Sequence, residues 1–320
     1  MRRLVLFAVF FFPVLTGCRN PGGSKSGDII IFHAGSLSVP FHQLKEIFEQ
    51  RNPGVKILLE PAGSLVCARK ITELKQPCDI IASADYFVIN ELLIPEYADW
   101  SISFATNEIV IAYNEKAKYA SEISPSNWME ILLRDDVLYG RSDPDADPCG
   151  YRSVITMMLA EKFYQMPGLA GKLTSKNKDY IRPIEVDLVA LIESDAIDYI
   201  FQYKSVAIQH NLKYIELPDE INLSDPSMTD LYKGVSLEIR GNKPDEKIKV
   251  TGEYIKYSMT IPFNATNRKG ALDFMSFLLS EEGVKILKEN GQNPIVPFSA
   301  EQMNKIPVEL LKYLPGIRTK

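Results

Sequence analysis

From residue 28 onwards, short apolar runs alternate with amphipathic segments. The runs at 28–33 and 109–113 have the length and the β-branched content of buried strands. The segment 39–51 has helical spacing and ends at Asn-Pro-Gly, which stops a helix. Strands that alternate with helices in this way predict an α/β fold with a largely parallel sheet. Further along, apolar runs on both sides of 240–244 predict a β-hairpin, and two helices follow it.

The tetrapeptide Ala-Gly-Ser-Leu occurs twice, at 34–37 and 62–65, each time between a predicted strand and a predicted helix. Glycine permits a sharp turn and a close backbone approach, and the N–H groups at a helix start attract an anion. Serine is also a common helix cap, so a purely structural role is the alternative. Because both turns fall where open α/β sheets bind ligands, Ser36 and Ser64 are candidate ligand-binding residues.

Two acidic segments precede predicted helices. The first, which leads into the helix predicted from Gly150, contains three alternating aspartates: Asp143, Asp145 and Asp147. A calcium loop is not indicated, because Pro148 stands where that loop needs glycine and Val154 where it needs a carboxylate. The second segment is 182–187. Carboxylates at a helix start stabilise the helix dipole, so the residues alone leave a structural role open for both segments.

The first 27 residues are expected to lie outside the fold. A basic start, an apolar run at 4–15 and the small residues before Cys18 predict a secretory signal, and the run is shorter than the ~20 residues that span a bilayer. Residues 15–18 resemble a lipoprotein processing site, with plain secretion as the alternative. We therefore expect a signal peptide at 1–17, lipidation of Cys18, and a polar tether at 18–27.

The amino-acid composition of the chain argues for some classes of protein and against others. The chain has 320 residues, 46% hydrophobic, with 36 basic against 41 acidic side chains. These values indicate a folded chain of about two domains and argue against a nucleic-acid partner, whose footprint is usually basic.

Cysteine and histidine positions do not point to catalysis. Cys67 and Cys78 could form a disulfide, which their spacing does not establish, and no pair has the C-x-x-C spacing of a zinc or redox site. No G-x-S-x-G, H-E-x-x-H or P-loop motif occurs, and the histidines are scattered: His33, His42 and His210. We expect no enzyme; a secreted hydrolase is the alternative from another class.

Together these segments resemble the extracytoplasmic tungstate/molybdate-binding proteins of ABC transporters, the WtpA type related to ModA. The resemblance covers nearly the whole chain after the tether. Besides the two Ala-Gly-Ser-Leu turns, it rests on Ala-Ser-Ala-Asp at 82–85, Asp-Pro-Cys-Gly-Tyr-Arg-Ser at 147–153, Tyr-Lys-Ser-Val-Ala at 203–207 with Gln209-His210, and Ser-Glu-Glu-Gly at 280–283. The segment 147–153 is the most specific of these.

The resemblance implies a fold. It is α/β, two-lobed and like the type II periplasmic binding proteins, with two hinge crossovers and the ligand in the cleft between the lobes. We place the crossovers near Ile111 and Ser205. Lobe 1 is then 28–112 plus 206–320, and lobe 2 is 113–205.

The resemblance also implies a site. Ser36 and Ser64 would donate hydrogen bonds to the oxyanion from lobe 1, while Cys149 would donate its backbone N–H and Tyr203 its hydroxyl. Two carboxylates would bind the metal centre of the oxyanion and make it six-coordinate: Asp147 and Glu185, with Asp187 as the alternative to Glu185. Such carboxylates would repel sulfate, whose sulfur accepts no further oxygen ligands.

The partners follow from the same resemblance. The ligand is tungstate or molybdate, with another anion such as sulfate, phosphonate or an organic anion as the alternative. The chain would be a monomer without a resident cofactor, anchored by lipid on the outer face of the cytoplasmic membrane or in the periplasm. It would deliver its ligand to an ABC permease and its ATPase.

Overall fold

The computed structural model describes residues 27–243 and 245–315. The expected signal peptide, the lipidation of Cys18 and the tether up to residue 26 lie outside the described residues. Within the described ranges, no helix has the length and hydropathy needed to cross a membrane.

Most of the described strands lie in two sheets. The strands in chain order are β1 (Asp28–His33), β2 (Lys56–Pro61), β3 (Ile80–Ser83), β4 (Ser101–Thr106), β5 (Ile109–Tyr113), β6 (Tyr139–Ser142), β7 (Ile181–Arg182), β8 (Tyr199–Tyr203), β9 (Lys213–Glu216), β10 (Ser236–Arg240), β11 (Lys247–Thr251), β12 (Lys256–Thr260) and β13 (Asn293–Glu301). β10 and β11 pair only with each other as an antiparallel hairpin, close to the predicted position.

Helices cover the sheets. The α-helices of the described chain are α1 (Ser38–Arg51), α2 (Ser64–Thr72), α3 (Tyr86–Leu92), α4 (Trp128–Leu132), α5 (Pro148–Phe163), α6 (Leu169–Ser175), α7 (Asp187–Glu193), α8 (Lys204–Gln209), α9 (Asp219–Asn222), α10 (Thr229–Tyr232), α11 (Arg268–Leu278), α12 (Glu281–Glu289) and α13 (Val308–Leu311). α1 ends directly before Asn52-Pro53-Gly54, where the sequence predicts the end of a helix.

The two large sheets repeat one topology. The first has the order β13-β4-β12-β3-β1-β2, in which β2, β1 and β3 are parallel and β12 runs antiparallel between β3 and β4. The second has the order β7-β6-β8-β5-β9, in which β5 is the antiparallel strand. In each sheet, the strand that follows the crossover from the other sheet runs against the parallel strands. In the first sheet, the edge strand β13 is also antiparallel to its neighbour β4. This is the α/β, two-lobed type II architecture that was expected.

The crossovers differ from the expected boundaries. β5 was assigned to lobe 1 by the boundary at 112, but it pairs with β8 and β9 of the second sheet, so the chain crosses between 106 and 109. β9 lies beyond the boundary at 205 and also belongs to the second sheet. The return crossover therefore falls between β9 and β12 and contains the β10–β11 hairpin. Strand pairing is long-range, and an apolar run does not show which sheet it joins.

Candidate functional site

The two Ala-Gly-Ser-Leu turns lie side by side at the carboxyl ends of β1 and β2. The Ala62 N–H donates to His33 O at 3.0 Å, and the Ala34 N–H donates to Ala82 O at 2.9 Å. Within the described chain neither serine side chain caps its helix. The structural alternative of a serine cap is therefore not the arrangement found.

Both serine hydroxyls have other partners. Ser64 Oγ accepts from the Ala84 N–H at 3.0 Å, and Ser36 Oγ lies 2.8 Å from Tyr257 Oη. Asn107, at the first crossover, donates to the same tyrosine hydroxyl at 3.0 Å. Tyr257 and Asn107 were not predicted as site residues, because only the pairing of β12 in the first sheet places them beside Ser36.

Lobe 2 contributes two buried carboxylates. Asp147 is the N-cap of α5, and its Oδ1 accepts from the Cys149 N–H at 3.3 Å. Glu185 lies in the loop before α7, and its Oε1 accepts from the Ser36 N–H of lobe 1 at 2.5 Å. Both carboxylates are 0% exposed. Asp187, the alternative to Glu185, is exposed at the first position of α7.

Burial dominates the electrostatics of this pair. Desolvation raises the pKa of Asp147 well above its ordinary value, and the neighbouring Glu185 charge raises it further. Desolvation also raises the pKa of Glu185, and the hydrogen bond from the Ser36 N–H partly offsets this rise. Both shifts disfavour the ionised carboxylates in the closed site, and a positive centre beside the pair would favour their ionisation.

Several buried oxygens beside these carboxylates have no hydrogen-bond partner among the described residues. They are Asp147 Oδ2, Glu185 Oε2, Tyr203 Oη and Ser142 Oγ. Buried polar atoms are normally paired, so these four oxygens are available to bond to a group placed between the lobes. Tyr203 was predicted there. Ser142 was not predicted. It lies at the end of β6, just as Ser36 and Ser64 follow β1 and β2, and this shared position at a strand end could have identified it.

Cys149 is the third residue predicted to donate to the oxyanion. In this structure its backbone N–H donates to Asp147 Oδ1 at 3.3 Å. Burial, followed by the charge of Asp147, raises the pKa of its thiol well above the ordinary value. Among the described cysteines Cys67, Cys78 and Cys149 are all buried free thiols, so the disulfide considered for the first two is not formed here.

Glycines bring the lobes together at this site. A Cβ on Gly63 would lie 2.3 Å from Ala146 O, and one on Gly35 would lie 2.9 Å from Glu185 Oε2. The site is therefore enclosed between the lobes. A cavity of about 390 Å³ lies elsewhere, between α2, α3 and the β10–β11 hairpin. Residues 27–243 and 245–315 contain no cluster of three or more His, Cys, Asp or Glu side chains that could hold a metal ion.

Comparisons with known proteins agree with this architecture. The family model described as bacterial extracellular solute-binding protein matches residues 29–293. An uncharacterized solute-binding protein of Petrotoga mobilis is 46% identical, covering 99% of both chains. The molybdate/tungstate-binding protein WtpA of Pyrococcus abyssi is 44% identical, covering 96% of both. The periplasmic molybdate-binding protein of Azotobacter vinelandii has a similar fold, with a TM-score of 0.61 at 16% identity, covering 82% of this chain and 98% of that one. The chain belongs to the family of bacterial extracellular solute-binding proteins.

Proposed function

We propose that this protein binds tungstate or molybdate between its lobes and delivers the anion to the permease of an ABC transporter. The observation that carries the proposal is the pair of fully buried carboxylates, Asp147 and Glu185, closed against the serine turns of lobe 1. The relative named as a molybdate/tungstate-binding protein supports the choice of ligand.

The neutral donors account for binding of a tetrahedral oxyanion. Ser36, Ser64 and Tyr203 supply hydroxyl groups, and a hydrogen bond to a charged group contributes about 1.5–3 kcal/mol. No compensating cation has to be buried with such donors. These groups alone would accept sulfate as well as tungstate.

The carboxylates account for selectivity. Two unit charges 4 Å apart at an effective dielectric constant of about 20 repel by roughly 4 kcal/mol, so a buried carboxylate strongly opposes a dianion that cannot bond to it. Tungsten or molybdenum can take Asp147 and Glu185 as additional oxygen ligands, and the metal centre then offsets the repulsion. Sulfur cannot do this. The site thus excludes sulfate by charge and admits the larger anions by ligation.

The family places the protein outside the cytoplasm, and it is a family of binding proteins, not of enzymes. The proposal has two finer parts. A lipid anchor at Cys18 would keep the protein on the outer face of the cytoplasmic membrane or in the periplasm, and the protein would deliver its ligand as a monomer. Ligand between the lobes favours the closed form, and that form would dock on the permease.

Calorimetry with an anion panel tests the proposal. The native protein should bind tungstate and molybdate far more tightly than it binds sulfate or phosphate. Asp147→Asn and Glu185→Gln should each weaken tungstate binding about 100-fold, or about 2.7 kcal/mol, because a ligand and its charge are lost. Neither change should weaken sulfate binding.

Two nearby substitutions serve as matched controls. The first is Asp143→Asn, because Asp143 lies in the same turn as Asp147. The second is Asp187→Asn, because Asp187 is two residues from Glu185 and exposed at the start of α7. Both should leave tungstate affinity unchanged. Equal losses of tungstate and sulfate in the Asp147 variant would contradict the assignment, and an effect of Asp187→Asn alone would transfer the role from Glu185.

A further inference from the structure

Two of the sequence motifs contain residues that have no proposed contact with the ligand. These residues meet between the lobes. The Ala-Ser-Ala-Asp segment ends at Asp85, which follows β3 in lobe 1 and caps α3 by accepting from the Phe87 N–H at 3.1 Å. Tyr151 and Arg152 lie in the first turns of α5 in lobe 2. These positions are far apart in sequence, and only closure of the lobes brings them into contact.

The contacts form a buried ion pair with a supporting hydroxyl. Asp85 Oδ2 pairs with Arg152 Nη2 and accepts from Tyr151 Oη at 2.7 Å. Arg152 Nη1 donates to Glu253 O at 2.6 Å, in the return crossover. The side chains of Arg152 and Asp85 are 1% and 0% exposed. Water therefore does not compensate either charge if the other is removed.

The pair is attached directly to the ligand-binding elements. Ala84, which precedes Asp85, holds the Ser64 hydroxyl through its N–H. Arg152 lies on the helix whose N-terminus carries Asp147 and Cys149. A shift of the pair would thus move the serine turn of lobe 1 away from the carboxylate of lobe 2.

We propose that Asp85, Tyr151 and Arg152 form an interlobe latch that holds the two halves of the ligand site together in the closed form. The latch rests on the proposed function, since it acts on retention of the bound anion. Asp85 and Arg152 are positioning residues: they contact each other and not the ligand.

The energetics make the latch sensitive to loss of one partner. Burying both charges on closure is opposed by desolvation, which their attraction offsets. Removal of one charge leaves the other buried and unpaired in the closed form, whereas in the open form it is hydrated. A single substitution therefore destabilises closure but not either lobe. Removing both charges eliminates the unpaired group.

A double-mutant cycle measured with tungstate tests the latch. Asp85→Asn and Arg152→Met should each weaken tungstate binding about tenfold or more. The double variant should bind better than the product of the two effects predicts, with a coupling of about tenfold. The unfolding midpoint of the ligand-free protein should stay near the native value, and small-angle scattering at saturating tungstate should show a larger radius of gyration for each single variant.

Asp79→Asn is the matched control. Asp79 is as buried as Asp85, but its oxygens accept from Ile30, Thr266 and Asn267, all within lobe 1. This substitution should lower the unfolding midpoint and leave the radius of the tungstate complex unchanged. Tyr151→Phe removes one interlobe hydrogen bond without a charge and provides a milder variant if Asp85→Asn does not fold; it should weaken tungstate binding severalfold.

The outcomes separate the two proposals. A native protein that binds neither tungstate nor molybdate would overturn the proposed function and the latch with it. The latch alone would be overturned if the native protein binds tungstate and the single variants retain native affinity. It would also be overturned if the effects of the two substitutions on tungstate affinity are additive in the double variant. A fall in the ligand-free unfolding midpoint that accounts for the whole loss of affinity would also overturn it.

Discussion

Gly63 offers a sharp test of the closed arrangement, because its backbone does not require glycine. Its φ of −57° and ψ of 139° are open to any L-residue. Glycine is required at this position because lobe 2 approaches it closely. A Cβ would lie 2.3 Å from Ala146 O and 3.0 Å from Pro183 O. Gly63→Ala should therefore leave lobe 1 intact and obstruct closure.

The magnitude follows from the overlap. Ordinary contacts of a Cβ begin at 3.4 Å, so the lobes would have to separate by about 1 Å at this point or strain the Ala146 backbone. Overpacking of this kind costs about 1–3 kcal/mol. Since closure is coupled to binding, tungstate affinity should fall by about 5- to 150-fold. The ligand-free protein should unfold at the native temperature or slightly above it, because alanine reduces the entropy of the unfolded chain.

Calorimetry and thermal unfolding on the same samples provide the assay, with Gly171→Ala as the control. Gly171 is in α6 of lobe 2, and apart from its chain neighbours and the backbone of its own helix, no heavy atom of the described residues lies within 4 Å of a Cβ at this position. That control should bind tungstate normally. Native affinity in Gly63→Ala would refute the close approach of the lobes, and a loss of ligand-free stability would mean that lobe 1 itself needs the glycine.

Two further predictions concern buried titratable groups. Burial lowers the pKa of His33 from 6.5 to about 4. The neutral ring therefore stabilises the fold fully above pH 6.5, and this contribution of up to about 3 kcal/mol is lost as the pH falls towards 4. Urea unfolding of His33→Gln should lack this part of the pH dependence, and the exposed His42→Gln should retain it. In a Cys18→Ser variant, no thiol should react with a thiol-specific reagent in the native state, since burial raises the pKa of Cys67 to about 12. All of Cys67, Cys78 and Cys149 should react after denaturation, whereas a disulfide between the first two would leave one.

The sequence predicted those features whose cause is local. β1 and β5 are continuous apolar runs, and the two serine turns repeat a tetrapeptide, so position along the chain was sufficient to find them. β6 was missed because Tyr-Gly-Arg-Ser has no apolar run, although all four residues are buried by the neighbouring strands and helices. The crossovers were misplaced for the related reason that sheet membership depends on distant pairing.

The site shows the same division. Ser36 and Ser64 follow predicted strands, where sequence position suggests a role, whereas Asp147 and Glu185 were assigned through the family resemblance. Tyr257 and the interlobe partners of Asp85 carry no such local signal. Their relation to the site exists only because β12 returns to the first sheet and α5 packs against the loops of lobe 1.

The division of groups between the lobes has a consequence for selectivity. In the proposed function, lobe 1 supplies neutral donors, Ser36 and Ser64, while the carboxylates Asp147 and Glu185 come from lobe 2. An open protein could therefore hold sulfate and tungstate on lobe 1 with similar strength. The protein discriminates between sulfate and tungstate only after closure brings the carboxylates to the anion. Only then do the carboxylates repel sulfate or bind the metal centre of tungstate. Closure is thus the step that selects the ligand, and the residues that permit or hold it, Gly63 and Asp85, matter to specificity without contacting the anion.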